Sequence, residues 1–156
     1  MTKIRWKSLV KHVALPLAVG GLAALLTRGN MAVYDAIVKP AFAPPPILFP
    51  IVWTVLYVLM GVSTYLLGPE SSEDKSAAKA VYLLQLLVNF FWPILFFNKR
   101  AFLLAFIWLV LLWILIGVMI WRYERINRTA AFLQIPYWVW VTFAGALNFS
   151  IYWLNR

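Results

Sequence analysis

The chain has no cysteine and a single histidine, His12. The first absence removes disulfides, thiolate-bound metals and redox thiols, and leaves the compartment open. Charge is scarce as well: 12% of the residues are Asp, Glu, Lys or Arg, and only five of the 156 are acidic. Paired carboxylates for acid–base work, a Ser–His–Asp set, a metal-binding cluster and a glycine-rich phosphate loop are all missing. The residues therefore form no conventional catalytic constellation, and they call for no metal and no cofactor. Neither is there an internal repeat or an ionisable group deep inside an apolar run, which counts against an actively driven carrier.

What fills the chain instead is apolar: 64% of the residues are hydrophobic and nine are tryptophan. The apolar residues fall into five stretches. The first is a span over about 9–26 whose uninterrupted core is Val13–Leu26. The others are Ile47–Leu67, Ala77–Phe97 (with Lys79 at its entrance), Ala101–Trp121 and Ala130–Leu154. A hydrocarbon layer about 30 Å thick takes about 20 apolar residues of helix. Within it the backbone must satisfy its own hydrogen bonds, so each stretch is predicted to be an α-helix. The fold class is thus all-α, a single domain over 1–156 built as a bundle of five transmembrane helices. The net charge of +9 is assigned to helix ends, where basic residues anchor in lipid headgroups, and not to a nucleic-acid surface; no nucleic-acid partner is expected.

The basic residues also set orientation. Lys3, Arg5, Lys7, Lys11, Lys75, Lys79, Arg122, Arg125 and Arg128 share the side of the N-terminus, against Arg28, Lys39, Lys99, Arg100 and Arg156 opposite. Nine against five predicts a cytoplasmic N-terminus. The loop over 27–46, between the first two spans, is the longest connection. Its prolines, Pro40 and Pro44-Pro45-Pro46, stiffen it into a lid with Tyr34, Lys39 and Phe42.

Depth in the membrane then groups the polar and aromatic side chains. Trp53, Thr54 and Tyr57 open the second span; Asn89, Trp92, Phe96 and Phe97 close the third; Asn148 and Tyr152 close the fifth. All lie in the half of the bilayer beneath the lid, with Gln85 and Trp140 nearer the midplane. Gln85, Asn89, Trp92 and Phe96 follow i, i+4, i+7, i+11, one face of one helix. Amides in lipid are costly unless paired, so Gln85, Asn89 and Asn148 should face the interior, either as interhelical glue or around a ligand. Pro93, Pro136 and Pro16 are each expected to free a carbonyl, of Asn89, Phe132 and His12. Trp53, Trp92 and Trp140 are the indoles placed for stacking on a flat guest. Trp6, Trp121 and Trp153 fit an interfacial belt, and Trp108, Trp113 and Trp138 face lipid or a neighbouring protomer.

With His12 at the far end of the first span, iron in such a pocket has no strong axial ligand, so a tetrapyrrole there would be metal-free or gripped by its faces and edges. A guest bearing carboxylates would suit the basic mouth, near Arg28, Lys39 or Arg156. The runs Gly20-Gly21-Leu22-Ala23-Ala24 and Ala144-Gly145-Ala146 permit close helix contact, inside the bundle or across a dimer. Leu147, Tyr152 and Arg156 match a loose sterol-contact pattern.

Taken in order, the motifs resemble the TspO family, the tryptophan-rich sensory proteins whose mitochondrial relatives are called translocator protein or peripheral benzodiazepine receptor. The lid run Tyr34-Asp35-Ala36-Ile37-Val38-Lys39-Pro40-Ala41-Phe42-Ala43-Pro44-Pro45 is similar to that family's Tyr…Lys-Pro-x-aromatic-x-Pro-Pro signature. Trp53-Thr54-Val55-Leu56-Tyr57, Gln85…Asn89…Trp92 and Pro136-Tyr137…Trp140…Phe143-Ala144…Leu147-Asn148 follow at family spacings. The resemblance implies an integral protein of a bacterial cell membrane, a homodimer, and binding of porphyrins of the protoporphyrin IX type or other apolar small molecules, sterols among them. It implies ligand contacts from Trp53, Tyr57, Gln85, Asn89, Trp92, Phe96, Trp140, Ala144 and Asn148. It also implies tetrapyrrole handling or stress sensing as the role, with two alternatives: light-dependent porphyrin degradation involving Trp53 or Trp140, and transport of porphyrin or sterol.

Overall fold

A computed structural model describes residues 4–69 and 72–156; Lys3, counted above, lies outside the described residues. Every regular element among the described residues is helical. Helix α1 spans Trp6–Thr27 and passes through a short 3-10 turn, Arg28–Asn30, into the four-residue α2, Val33–Ala36. Then come α3 (Leu48–Leu66), α4 (Glu73–Pro93), α5 (Phe102–Ile126), α6 (Arg128–Phe132) and α7 (Ile135–Leu154). The five long helices are each apolar and long enough to cross a bilayer, α6 and α7 counting as one crossing.

Local sequence explains where the helices begin and end. Ser72 caps α4 by accepting from the Lys75 backbone N–H at 3.4 Å, and Glu73 and Asp74 meet the positive end of the helix dipole. Gly68 closes α3 at a φ of +74°, a left-handed turn that a side chain would strain. Asn127 serves two helices: its N–H donates to the Tyr123 carbonyl at 2.7 Å and its Oδ1 accepts from the Ala130 N–H at 3.1 Å. Its Nδ2 also donates to the Leu66 carbonyl at 3.1 Å, tying this corner to the end of α3.

The fifth apolar stretch is not one helix. The chain breaks at Leu133–Gln134, between α6 and α7, so Pro136 sits in the first turn of α7 and not mid-helix. Its missing N–H is one that a helix start leaves unused in any case, so no interior carbonyl is released there. Pro93 lies in the last turn of α4, and the chain continues as a wide π turn over Ile94–Asn98, with Lys99 N–H reaching the Ile94 carbonyl at 3.1 Å. Pro16 is inside α1 and offers no N–H to the His12 carbonyl, which faces Gly61 of α3.

Helix α1 lies against α3 and α4, α5 against α4 and α7, and α6 against α3 and α5. Met60, Leu112, Ile116, Met119, Tyr123 and Tyr137 are fully enclosed at the centre. By contrast α1 buries only Pro16, Ala23 and Thr27, so it is the outermost helix of the bundle. Trp108 donates its indole N–H to the Val88 carbonyl at 2.8 Å, between α4 and α5. Trp113 and Trp138 stack on each other at 4.8 Å, half-exposed on the surface formed by α5 and α7. Arg125 lies over Trp121 and Arg156 over Trp153, as expected of rings and cations sharing a membrane interface.

Candidate functional site

The lid is pinned at three points. Tyr34 is buried and donates its hydroxyl to the Pro44 carbonyl at 3.0 Å, which folds the loop back on itself. Burial, with Asp35 adjacent, raises the Tyr34 phenol above its ordinary pKa, so it stays a donor. Lys39 donates to the Tyr34 carbonyl at 2.7 Å and its ammonium sits 4.8 Å over the Tyr34 ring. On the α7 side, Asn155 and Val38 exchange two hydrogen bonds, of 2.9 and 2.8 Å. On the α4 side, Asn30 donates to Asn98 at 2.9 Å, and Asn98 donates to the Leu26 carbonyl at 3.0 Å. Phe42 lies edge-on to Phe143 of α7, while the Pro40 and Pro45 carbonyls each close a turn, accepting from the Ala43 and Leu48 N–H groups at 3.0 Å.

Beneath the start of this loop, α1, α3 and α4 enclose a cavity of about 440 Å³. Trp53, Tyr57, Asn89, Trp92 and Phe97 line one side, with Phe49. The other side is α1 and the turn after it: Leu17, Gly20, Gly21, Ala24 and Thr27, then Arg28. A second, far smaller void of about 20 Å³ lies under Tyr34, lined by Phe96, Ala144, Leu147 and Asn148 among others. Phe49, Trp92 and Phe97 line both, so these three rings are the partition between them.

The expected ligand residues therefore divide. Trp53, Tyr57, Asn89 and Trp92 meet in the larger cavity; Phe96, Ala144 and Asn148 meet in the smaller one with Trp92. Gln85 and Trp140 line neither. Gln85 is fully enclosed, and Trp140 packs against Phe49 and Phe143 at ring separations of 6.1 and 5.3 Å. Of the three cations expected at the mouth, Arg28 lines the cavity, Lys39 is engaged with Tyr34, and Arg156 with Trp153. Leu147 is buried and lines the small void, Tyr152 packs near Phe149, and Arg156 lies on Trp153.

The amides are bonded to one another's helices. Tyr57 donates to Asn89 Oδ1 at 3.0 Å, Asn89 Nδ2 donates to the Tyr137 hydroxyl at 2.7 Å, and Tyr137 donates to Gln85 Oε1 at 2.8 Å. This four-residue relay joins α3, α4 and α7. Trp92 Nε1 donates to Asn148 Oδ1 at 3.1 Å, and Asn148 Nδ2 donates to the Phe102 carbonyl at 2.8 Å. Gln85, Asn89 and Asn148 thus each have at least one partner, as lipid favours, whereas the amide of Gln134, also buried, has none among the described residues. Aromatic rings surround the relay: Trp53 is 5.5 Å from Tyr57, 6.3 Å from Trp92 and 6.0 Å from Tyr137.

The α1 wall is what reading motifs for chemistry overlooks. Its signal is present, since Leu17, Gly20, Gly21, Ala24, Thr27 and Arg28 recur at three- and four-residue steps along one helix face. Gly20 has to be glycine, because a Cβ there would overlap the Tyr57 ring. Gly21 and Ala24 are exposed, and with Thr54 they leave the cavity open at the flank of the bundle.

Five helices long and apolar enough to cross a bilayer, three of them bordering an aromatic-lined cavity, define an integral membrane protein. The chain matches the TspO/MBR family over residues 12–154. It is 38% identical over 151 residues to the tryptophan-rich protein TspO of Archaeoglobus fulgidus, covering 94% of this chain and 96% of that one. It is 35% identical to the tryptophan-rich protein TspO of Chlorobaculum tepidum, with 92% of each chain covered. The translocator protein of Bos taurus is 31% identical over 97% of this chain and 92% of its own. The protein belongs to the TspO/MBR family.

Proposed function

We propose that the chain binds a flat, largely apolar tetrapyrrole of the protoporphyrin IX type in the cavity between α1, α3 and α4. The observation that supports this most directly is the wall: Trp53, Tyr57, Trp92, Phe49 and Phe97 present rings to a space of about 440 Å³. That volume lies within the roughly 300–1,000 Å³ of small-molecule sites, and such sites are mostly apolar with few polar groups. Here the polar groups are few: Asn89 and Tyr57 below, Thr27, Thr54 and Arg28 nearer the mouth. Ring faces stack on a planar guest, and Arg28 suits a propionate at its edge. Neither His nor Cys lines the cavity, which favours a metal-free ring over haem.

Titration with protoporphyrin IX, read by quenching of tryptophan fluorescence, tests the reading. Trp53→Ala and Trp92→Ala should each weaken binding about tenfold, which corresponds to about 1.4 kcal/mol of lost ring contact. Trp140→Ala, which reaches the cavity only through Phe49, should change it far less. Unaltered affinity in both Trp53→Ala and Trp92→Ala refutes the site.

A second reading is favoured by the close ring cluster around Trp53. Light absorbed by a bound porphyrin could drive its oxidation by dioxygen with an adjacent indole taking part, without any acid or base. Illumination of the complex should then bleach the porphyrin more slowly in Trp53→Phe than in the unaltered chain.

A further inference from the structure

A second cavity, of about 420 Å³, opens at the opposite end of the bundle, between the start of α1, the end of α3 and the start of α4. Its lining differs in kind from that of the first. Arg5, Lys11, Lys75 and Lys79 line it, and no acidic residue does among the described residues. Arg5, Lys11 and Lys75 have no ion pair among the described residues. Cations converging on one hollow repel each other unless an anion joins them.

A neutral donor points to the same chemistry. Tyr82 lines the cavity and is 2% exposed; its hydroxyl lies near the Thr64 hydroxyl but makes no well-formed hydrogen bond among the described residues. Thr64 beside it is already engaged with the Met60 carbonyl at 2.9 Å and the Tyr123 hydroxyl at 3.1 Å. A buried hydroxyl without a partner is costly, and an anion entering the cavity would supply one. His12 adds no neutral donor, because its Nδ1–H is already given to the Ser8 carbonyl at 2.7 Å.

The cavity is also graded with depth. Along α1, Leu15 lies one turn further into the membrane than Lys11, about 6 Å. Along α4, Leu83 lies two turns further than Lys75, about 12 Å. Both leucines are among the exposed hydrophobic residues. Cations at the headgroup level with leucines below them match an anion that carries an alkyl chain.

We propose that this cavity is a binding site for an anionic phosphate-bearing amphiphile, such as a phospholipid whose headgroup has no compensating cation. The phosphate lies among Arg5, Lys11 and Lys75, one oxygen accepts from Tyr82, and the chain runs over Leu15 and Leu83. The site is separate from the aromatic cavity and does not rest on what that cavity binds.

The test uses the purified full chain, delipidated in detergent, and native mass spectrometry to count retained lipid. Dioleoylphosphatidylglycerol should be retained as one molecule per chain, about tenfold more strongly than dioleoylphosphatidylcholine, whose choline cancels the charge. The double variant Lys11→Gln/Lys75→Gln should weaken that retention about 30-fold, from two lysines at a charged surface. Tyr82→Phe, which keeps the ring, should weaken it about fivefold. Inorganic phosphate in large excess should not displace the lipid, since it has no chain to cover the leucines. Equal retention of the two lipids, unchanged retention in both variants, or displacement by inorganic phosphate overturns the proposal.

Discussion

Gly61→Ala probes how α1 is held. A Cβ at Gly61 would run into the Val13 backbone and stand 2.7 Å from the His12 carbonyl oxygen. Ordinary contact begins at 3.4 Å, so α1 must retreat by at least 3.4 − 2.7 = 0.7 Å at this point. Both neighbours are backbone and no rotamer change relieves the overlap. Overpacking costs about 1–3 kcal/mol, and a clash of backbone with side-chain root belongs at about 3. Alanine regains up to about 1 kcal/mol of helix propensity over glycine, leaving a net loss of roughly 2 kcal/mol. For a chain of this size that is roughly 4–8 °C in the unfolding midpoint. Since α1 buries only three residues, the loss should appear first as detachment of α1. Hydrogen exchange should accelerate in Trp6–Thr27 while α5 keeps its protection. Gly145→Ala is the matched control, because a Cβ there meets nothing within 4 Å, and it should be neutral or slightly stabilising. The reasoning fails if Gly61→Ala unfolds no earlier than Gly145→Ala, or if α5 loosens along with α1.

Other consequences are smaller but separable. In a double-mutant cycle of Tyr57→Phe and Asn89→Leu, the coupling measured by unfolding in mixed micelles should be about 0.6–1.7 kcal/mol, the range of interhelical hydrogen bonds in membranes; purely additive losses would mean that the 3.0 Å bond carries nothing. Asn155→Ala removes both bonds to Val38, so amide exchange across 33–44 should accelerate while the unfolding midpoint falls by no more than about 1 kcal/mol equivalent; an unchanged exchange rate would show that the lid is held by other contacts. The Tyr34 phenol is raised above its ordinary value of 10.0 by burial and by Asp35. Because the folded form holds this proton more tightly than the unfolded chain, its contribution is complete below pH 10.0 and is lost as pH rises past it. Lid exchange should therefore accelerate above that pH and be less pH-dependent there in Tyr34→Phe.

The sequence determined the class of molecule by itself. Five apolar runs of about bilayer length, with charge only near their ends, are read as helices, because no water is available to satisfy any other backbone. The depth of each side chain followed from the same ruler, since position along a spanning helix is depth in the membrane, and this is why the residues under the lid could be grouped before any contact was known. The four-residue spacing of Gln85 and Asn89 put both on one inward face, and the structure joins them through Tyr137.

What depth does not give is direction around the bundle, and only the packing decided that. Asn89 and Asn148 lie at similar depths, yet Trp92 and its neighbouring rings separate the spaces they border. Trp140 and Trp53 look equivalent as indoles on spanning helices, but only Trp53 lines the larger cavity, because α1 and not α7 forms the opposite wall. That outcome depends on Gly20 and Gly61, two positions where the absence of a Cβ lets α1 approach α3. A glycine in a sequence is a permission to come close; which helix accepts it is settled only when all five are packed together.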